Sequence, residues 1–218
     1  MTNVIQQDHQ AFEPSVVYIN GKYWGMLNIR ERHNKEYVYS NYGWDETEID
    51  IIENNYREQA VCGDRLAYDS TKKLITTLDL TDKTNYEKIK QLIDIDSYIY
   101  YMAVEIYLIN DDWPVNNQKL FRNRNNGKFR WILQDLDKAF ATNSGNKLKE
   151  LRNSSSTSFA MKMITYLLKN DEFKEKYIDN QCLVAGSVYN PTRGSIVFDS
   201  IQKKLDAEWL FHSERWGF

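Results

Sequence analysis

Asn110-Asp111-Asp112-Trp113-Pro114-Val115-Asn116-Asn117-Gln118-Lys119-Leu120-Phe121-Arg122 is followed, after a short polar break, by Lys128-Phe129-Arg130-Trp131-Ile132-Leu133-Gln134-Asp135-Leu136-Asp137-Lys138-Ala139-Phe140. Lys119 to Arg122 and Lys128 to Leu133 are short apolar and basic runs around Asn125-Asn126-Gly127, a strong hairpin signal. With a three-residue loop from Asn125 to Gly127, Asn117 and Asp135 face each other at the hairpin mouth, Cβ atoms roughly 5 Å apart. A two-residue loop would put them on opposite faces. Asp137 shares the face of Asp135 while the strand continues. One amide oxygen and two carboxylates at a strand end suit a hard cation such as Mg²⁺ or Mn²⁺. Asp112, just upstream in a Pro-containing loop, is left to hold an attacking hydroxyl.

An Asp-rich turn after a helix and a D-x-D at a strand end are each ordinary turn chemistry when met alone. Joined by a hairpin at this spacing, they point to a site. Protein kinases use the same order: an Asp base, an Asn five residues on, and a metal-binding Asp after a short hairpin. Asp111 rivals Asp112, because it pairs in the same way with Asn116.

These motifs resemble those of the CotH-type spore-coat kinases, a family of atypical kinases, over most of the chain. Val16-Val17-Tyr18-Ile19-Asn20-Gly21-Lys22-Tyr23-Trp24-Gly25 is similar to that family's apolar-N-G-x-Y-W-G hairpin, and Arg30-Glu31-Arg32 to the charged segment after it. Asn110 to Pro114, through Asn117 to Arg122, resembles its catalytic loop, and Asp135-Leu136-Asp137 its W-D-x-D metal motif. His212-Ser213-Glu214-Arg215-Trp216-Gly217 resembles its helical ending. Gln134 stands where the family usually has Trp, and Lys138-Ala139-Phe140 replaces a Thr-Phe-Gly style of ending. The resemblance implies Asp112 as the catalytic Asp and Asn117 and Asp135 as metal ligands, with Asp137 beside them. It also implies ATP with Mg²⁺ or Mn²⁺ as cofactor, and a spore-coat or extracellular location. Arg30 and Glu31 are candidate cofactor-binding residues, Glu31 as partner of a nucleotide-binding lysine. The family's β-rich region upstream of the hairpin, with its lysine and phosphate-covering loop, is not found here, and no Gly-rich phosphate loop appears. Residues 1–218 are therefore expected to form a single kinase-like domain, incomplete at its N-terminus.

Composition agrees with a folded protein of ordinary kind. The chain has 218 residues, 42% hydrophobic and 27% charged, enough to bury a core. A net charge of −3 implies no general attraction to nucleic acid or anionic membrane. No apolar run approaches the ~18 residues of a membrane span, and residues 1 to 12 are polar, without a secretory signal. The 15 Tyr and 6 Trp suit sugar or peptide recognition, but most belong to a core. Cys62 and Cys182 lack metal-ligand spacing, argue against a disulfide framework and read as small buried hydrophobes. His9, His33 and His212 fit no zinc frame, and no G-x-S-x-G supplies a covalent nucleophile.

Along the chain, Phe12 to Ile29 reads as a hairpin around Asn20-Gly21, and Arg32 to Tyr39 as a short helix ended by Asn41-Tyr42-Gly43. Glu48 to Glu53 reads as a strand, followed by a loop through Gly63. Asp64 to Leu78 and Asn85 to Leu92 read as helices. Asp96 is the expected N-cap of the strongest helix, whose stripe of Ile99, Met102, Ala103, Ile106 and Tyr107 is core. Asn143 to Ser158 reads as a solvated loop. Phe159 to Leu168, Asp171 to Ala185 and Ile196 to Phe211 read as helices.

The expected architecture is α+β: an atypical protein-kinase-like fold, mainly its helical lobe, with a small N-terminal β-hairpin and a central hairpin bearing the metal site. The expected function is metal-dependent phosphoryl transfer from a nucleotide to a Ser/Thr hydroxyl of a protein substrate. Two alternatives stand beside it. A catalytically inactive kinase-like scaffold needs its surface but tolerates loss of Asp112. A glycoside hydrolase using Asp112 and Asp135 would need neither metal nor nucleotide.

Overall fold

The computed structural model describes residues 7–125, 127–140, 145–156 and 158–217. A five-stranded sheet has the order β1-β7-β6-β4-β5, from Asp8–His9, Arg130–Leu133, Gln118–Asn123, Ile49–Asn54 and Glu58–Cys62 respectively. A separate hairpin pairs β2 (Phe12–Ile19) with β3 (Lys22–Arg30) around Asn20 and Gly21, both at positive φ. The helices are α1 (Lys35–Tyr42), α2 (Leu66–Thr77), α3 (Lys83–Leu92), α4 (Ile95–Tyr107), α5 (Lys147–Asn153), α6 (Phe159–Leu167), α7 (Asp171–Leu183) and α8 (Pro191–Trp216). The mixed α+β composition is as expected.

Strand alternation divides the core between two faces of the sheet. Ile52, Leu120, Trp131 and Leu133 join the main cluster with α4, whose Ile99, Met102 and Ala103 are fully buried. Ile49, Ile51, Phe121 and Ile132 form a smaller cluster on the other face with Tyr37 and Val38 of α1. Asp50, between them, is fully buried and neutralised by Arg122 and Arg124 at 2.9 and 2.8 Å.

Several expectations need correction. The central hairpin is part of the larger sheet, because β4 pairs along β6, and Glu58–Cys62, expected as loop, is the edge strand β5. Its register also differs. Lys119 faces Ile132, Leu120 faces Trp131 and Phe121 faces Arg130. Continued two steps past its last pair, that ladder puts Gln134 rather than Asp135 opposite Asn117, and Gln134 Nε2 donates to the Asn117 carbonyl at 3.5 Å. The cause is a connection longer than three residues: β6 ends at Asn123 and β7 begins at Arg130, while Gly127 N–H closes back on the Asn123 carbonyl at 2.9 Å. Asn126 of the expected turn lies outside the described residues.

The cap of α4 is Asp94 rather than Asp96: its side chain accepts from Ser97 N–H at 3.1 Å and ion-pairs with Arg130. Asp96 instead pairs with Lys176 of α7. Within the expected loop from Asn143 to Ser158, residues 147–153 form α5, capped by the Asn146 side chain on Lys149 N–H. Asn143, Ser144 and Thr157 of that stretch lie outside the described residues. Cys62 is half-buried and Cys182 exposed, so neither is a buried hydrophobe. Among the described residues no helix is long and apolar enough to cross a membrane.

Candidate active site

Helix α4 delivers the chain to the Asp112 loop and holds it there. Trp113, 2% exposed, donates its indole N–H to the Tyr101 hydroxyl at 2.6 Å. On the far side, Asn54 Nδ2 donates to the Pro114 carbonyl at 3.2 Å and Tyr56 N–H to that of Val115 at 2.8 Å. The loop is thus gripped by α4 and by the β4–β5 turn.

Within it, Asp112 Oδ2 accepts from Asn116 Nδ2 at 2.9 Å and Asn117 Nδ2 at 3.2 Å. Its Oδ1 meets only the Tyr56 hydroxyl, at 3.5 Å, among the described residues. Asp111 is occupied differently: Lys147, at the start of α5, lies 3.6 Å from its carboxylate. The two adjacent aspartates therefore point to different partners.

Asp135 follows β7 with φ of 53°, and Asn117 precedes β6 with φ of 57°. These left-handed turns, which Asn and Asp tolerate better than other side chains, bend both residues out of the ladder. Asp135 is exposed, and partial desolvation by the surrounding protein raises its carboxyl above the ordinary range; the Asp137 and Asp112 carboxylates push it further, while Arg30 opposes them. Asp112, Asp135 and Asp137 therefore form one electrostatic neighbourhood. Among the described residues no three His, Cys, Asp or Glu side chains are grouped to hold a metal ion by themselves. The buried Asn116 Oδ1 has no hydrogen-bond partner.

Beside this cluster opens a cleft of about 440 Å³. Gln134, Asp135 and Asp137 form one wall; Gln10, Asn28 and Arg30, from β3 and the chain before β2, form the other. Glu31 is not part of that lining: its carboxylate accepts from Ala11 N–H at 2.9 Å and ties β3 to the segment before β2. His33, which fits no zinc frame, is buried with Nδ1 on Gln134 Oε1 at 2.9 Å, and burial lowers its pKa.

Three residues take places here that their sequence positions did not assign. Asn116 is a second donor to Asp112. Asn110 is fully buried between Glu105 and the backbone of Asp135. Glu105 is fully buried on α4, and burial raises its carboxyl to about 8. A Glu inside the apolar run of α4 was the available signal, because an unpaired acid on a core face calls for a reason.

The whole chain, residues 1–218, matches the family model described as CotH kinase protein. No curated protein matches it.

Proposed function

The chain belongs to the CotH kinase protein family, and from that premise we propose that it transfers the terminal phosphoryl group of a nucleotide, ATP by resemblance, to a Ser or Thr hydroxyl of a protein. The observation that carries this reading is the Asp112 carboxylate, fixed through Oδ2 by two amides and within electrostatic reach of Asp135, which with Asp137 lines an open cleft.

Asp112 receives the acceptor. With Oδ2 engaged, Oδ1 takes the hydroxyl proton as the acceptor oxygen bonds to phosphorus and the bond from phosphorus to the nucleotide's bridging oxygen breaks. Asn117, Asp135 and Asp137 are the groups that would hold a divalent cation, with the orphaned Asn116 oxygen as a further donor. When bound, Mg²⁺ or Mn²⁺ supplies positive charge against the phosphates and the leaving oxygen. Arg30, across the cleft, adds a fixed charge on the phosphate side. Glu31, held on Ala11, supports the wall that carries Arg30.

A second reading, a binding scaffold of kinase ancestry, draws on exposed apolar side chains such as Leu27, Ile29, Phe198 and Trp209 on β3 and α8. Calorimetric titration with ATP and Mn²⁺ or Mg²⁺, repeated on Asp135→Ala, separates the two. Metal-dependent binding that the substitution weakens at least tenfold is expected. Absence of binding by the unaltered chain would sink the phosphoryl-transfer reading and favour the scaffold.

A further inference from the structure

We propose that Asn110 is the positioning residue that joins the two halves of this site, and that the Glu105 carboxyl is the seat that orients it. The proposal rests on the phosphoryl-transfer reading and deepens it. One buried amide makes three bonds to three parts of the chain. Its Oδ1 accepts from Asp112 N–H at 3.3 Å, while Nδ2 donates to Glu105 Oε2 at 2.9 Å and to the Asp135 carbonyl at 3.3 Å. The first bond sets the backbone of the proton-accepting residue, and the third that of a cation-holding residue. Those residues are far apart in sequence, and no ladder pair joins them directly.

Only an amide fits. Asp at 110 would offer no donor to the Asp135 carbonyl, and Leu neither donor nor acceptor. The backbone is bent to make the arrangement: Ile109 has φ of 51°, an unfavourable value for a β-branched residue, and Asn110 N–H returns to the Glu105 carbonyl at 3.2 Å. Asp135, at φ of 53°, likewise has a turned backbone. Glu105 is a firm seat because it lies within α4 and is wholly inside the core. Its Oε1 finds no partner, so its bond to Asn110 is the contact that gives this buried acid a purpose. If Asn110 merely filled space, truncating it would loosen the core generally and not these two segments in particular.

The test compares Asn110→Ala, Glu105→Leu and Glu105→Gln with the unaltered chain by amide hydrogen exchange, without nucleotide or metal, and by Mn²⁺–ATP titration. Asn110→Ala is expected to speed exchange at Asp112 at least tenfold, leave the β4–β6 ladder protected, and weaken Mn²⁺–ATP binding about tenfold. Glu105→Leu is expected to do the same. Glu105→Gln, whose side-chain carbonyl can accept the same Nδ2 bond, is expected to restore protection and most of the affinity. Should Asn110→Ala fail to fold, the Leu and Gln pair at 105 decides the matter. Unchanged exchange at Asp112 in Asn110→Ala, or Gln as damaging as Leu at 105, overturns the proposal. Local loosening with Mn²⁺–ATP affinity intact overturns the link to the site. If the unaltered chain binds no Mn²⁺–ATP, the phosphoryl-transfer reading falls and takes the positioning role with it, while the exchange data still report the clamp by themselves.

Discussion

Asp112 and Glu105 sit within one loop of each other and are kept in opposite conditions. Asp112 is partly open, with two amides donating to one oxygen and a single hydroxyl near the other. Replacing it with Asn keeps the shape and removes the proton acceptor. Asp112→Asn is expected to lower the transfer rate about 10²- to 10⁴-fold while Mn²⁺–ATP still binds, as measured by turnover and titration on one preparation. A loss below tenfold would remove Asp112 from that role. Glu105 is instead wholly buried, and that burial raises its carboxyl from 4.5 to about 8, with the Asn110 amide and Lys147 opposing the rise. The folded state therefore holds this proton more tightly than the unfolded chain does. The associated stability is fully present below pH about 4.5 and is lost as pH rises towards 8. Glu105→Gln cannot ionise, so its stability relative to the unaltered chain is expected to climb through that window, by up to ~4 kcal/mol. Denaturant unfolding at pH 5 and pH 8 reads it; an equal difference at both values refutes a neutral Glu105.

Elements show where local signals suffice and where they stop. Helix α4 was legible from its apolar spacing, because a buried helix must present apolar residues at every turn. Its cap lies two residues before the expected one, since Asp94 and Asp96 are equally good caps in sequence; the Arg130 ion pair and the Asp94 N–H on the Phe129 carbonyl at 3.0 Å favour Asp94, while Lys176 takes Asp96. The β2–β3 hairpin was legible from Asn20-Gly21 for the same local reason. What holds α8 to it was not. Trp216 Nε1 donates to the Trp24 carbonyl at 3.0 Å, Met26 N–H donates to His212 Nδ1 at 3.0 Å, and the Trp24 and Trp216 rings meet edge to face at 5.3 Å. Gly25 makes that approach possible. It has φ of 134°, and a Cβ there would lie 2.8 Å from both His212 Nδ1 and Trp216 Nε1. Gly25→Ala is expected to cost about 1–3 kcal/mol and to release the end of α8, seen as faster proteolysis near Trp216. Unaltered proteolysis and thermal stability would show that α8 is held elsewhere.

Across the whole molecule, the cleft arises because the β2–β3 hairpin stands apart from the five-stranded sheet, with the ends of β1 and β7 between them. Among the described residues, six non-glycine residues have positive φ, and five of them (Tyr56, Ile109, Asn117, Asp135 and Phe140) belong to segments that meet at the Asp112 loop. Such conformations persist only where surrounding contacts over-determine them, which marks this loop as the specialised part of the fold. The sequence by itself determined the α+β composition, most helices, the N-terminal hairpin and the short list of acidic and amide residues. Those follow from periodicity, turn chemistry and side-chain type, all properties of neighbours in the chain. Only the tertiary structure decided the register that sets Gln134 opposite Asn117, the extra strand β5, the separate partners of Asp111 and Asp112, and the burial of Glu105 against Asn110. The register, β5 and the Lys147 contact of Asp111 depend on segments distant in the chain, and the burial of Glu105 on what packs around α4; a one-residue slip leaves no trace in local pattern, and an acid in an apolar run does not name its partner.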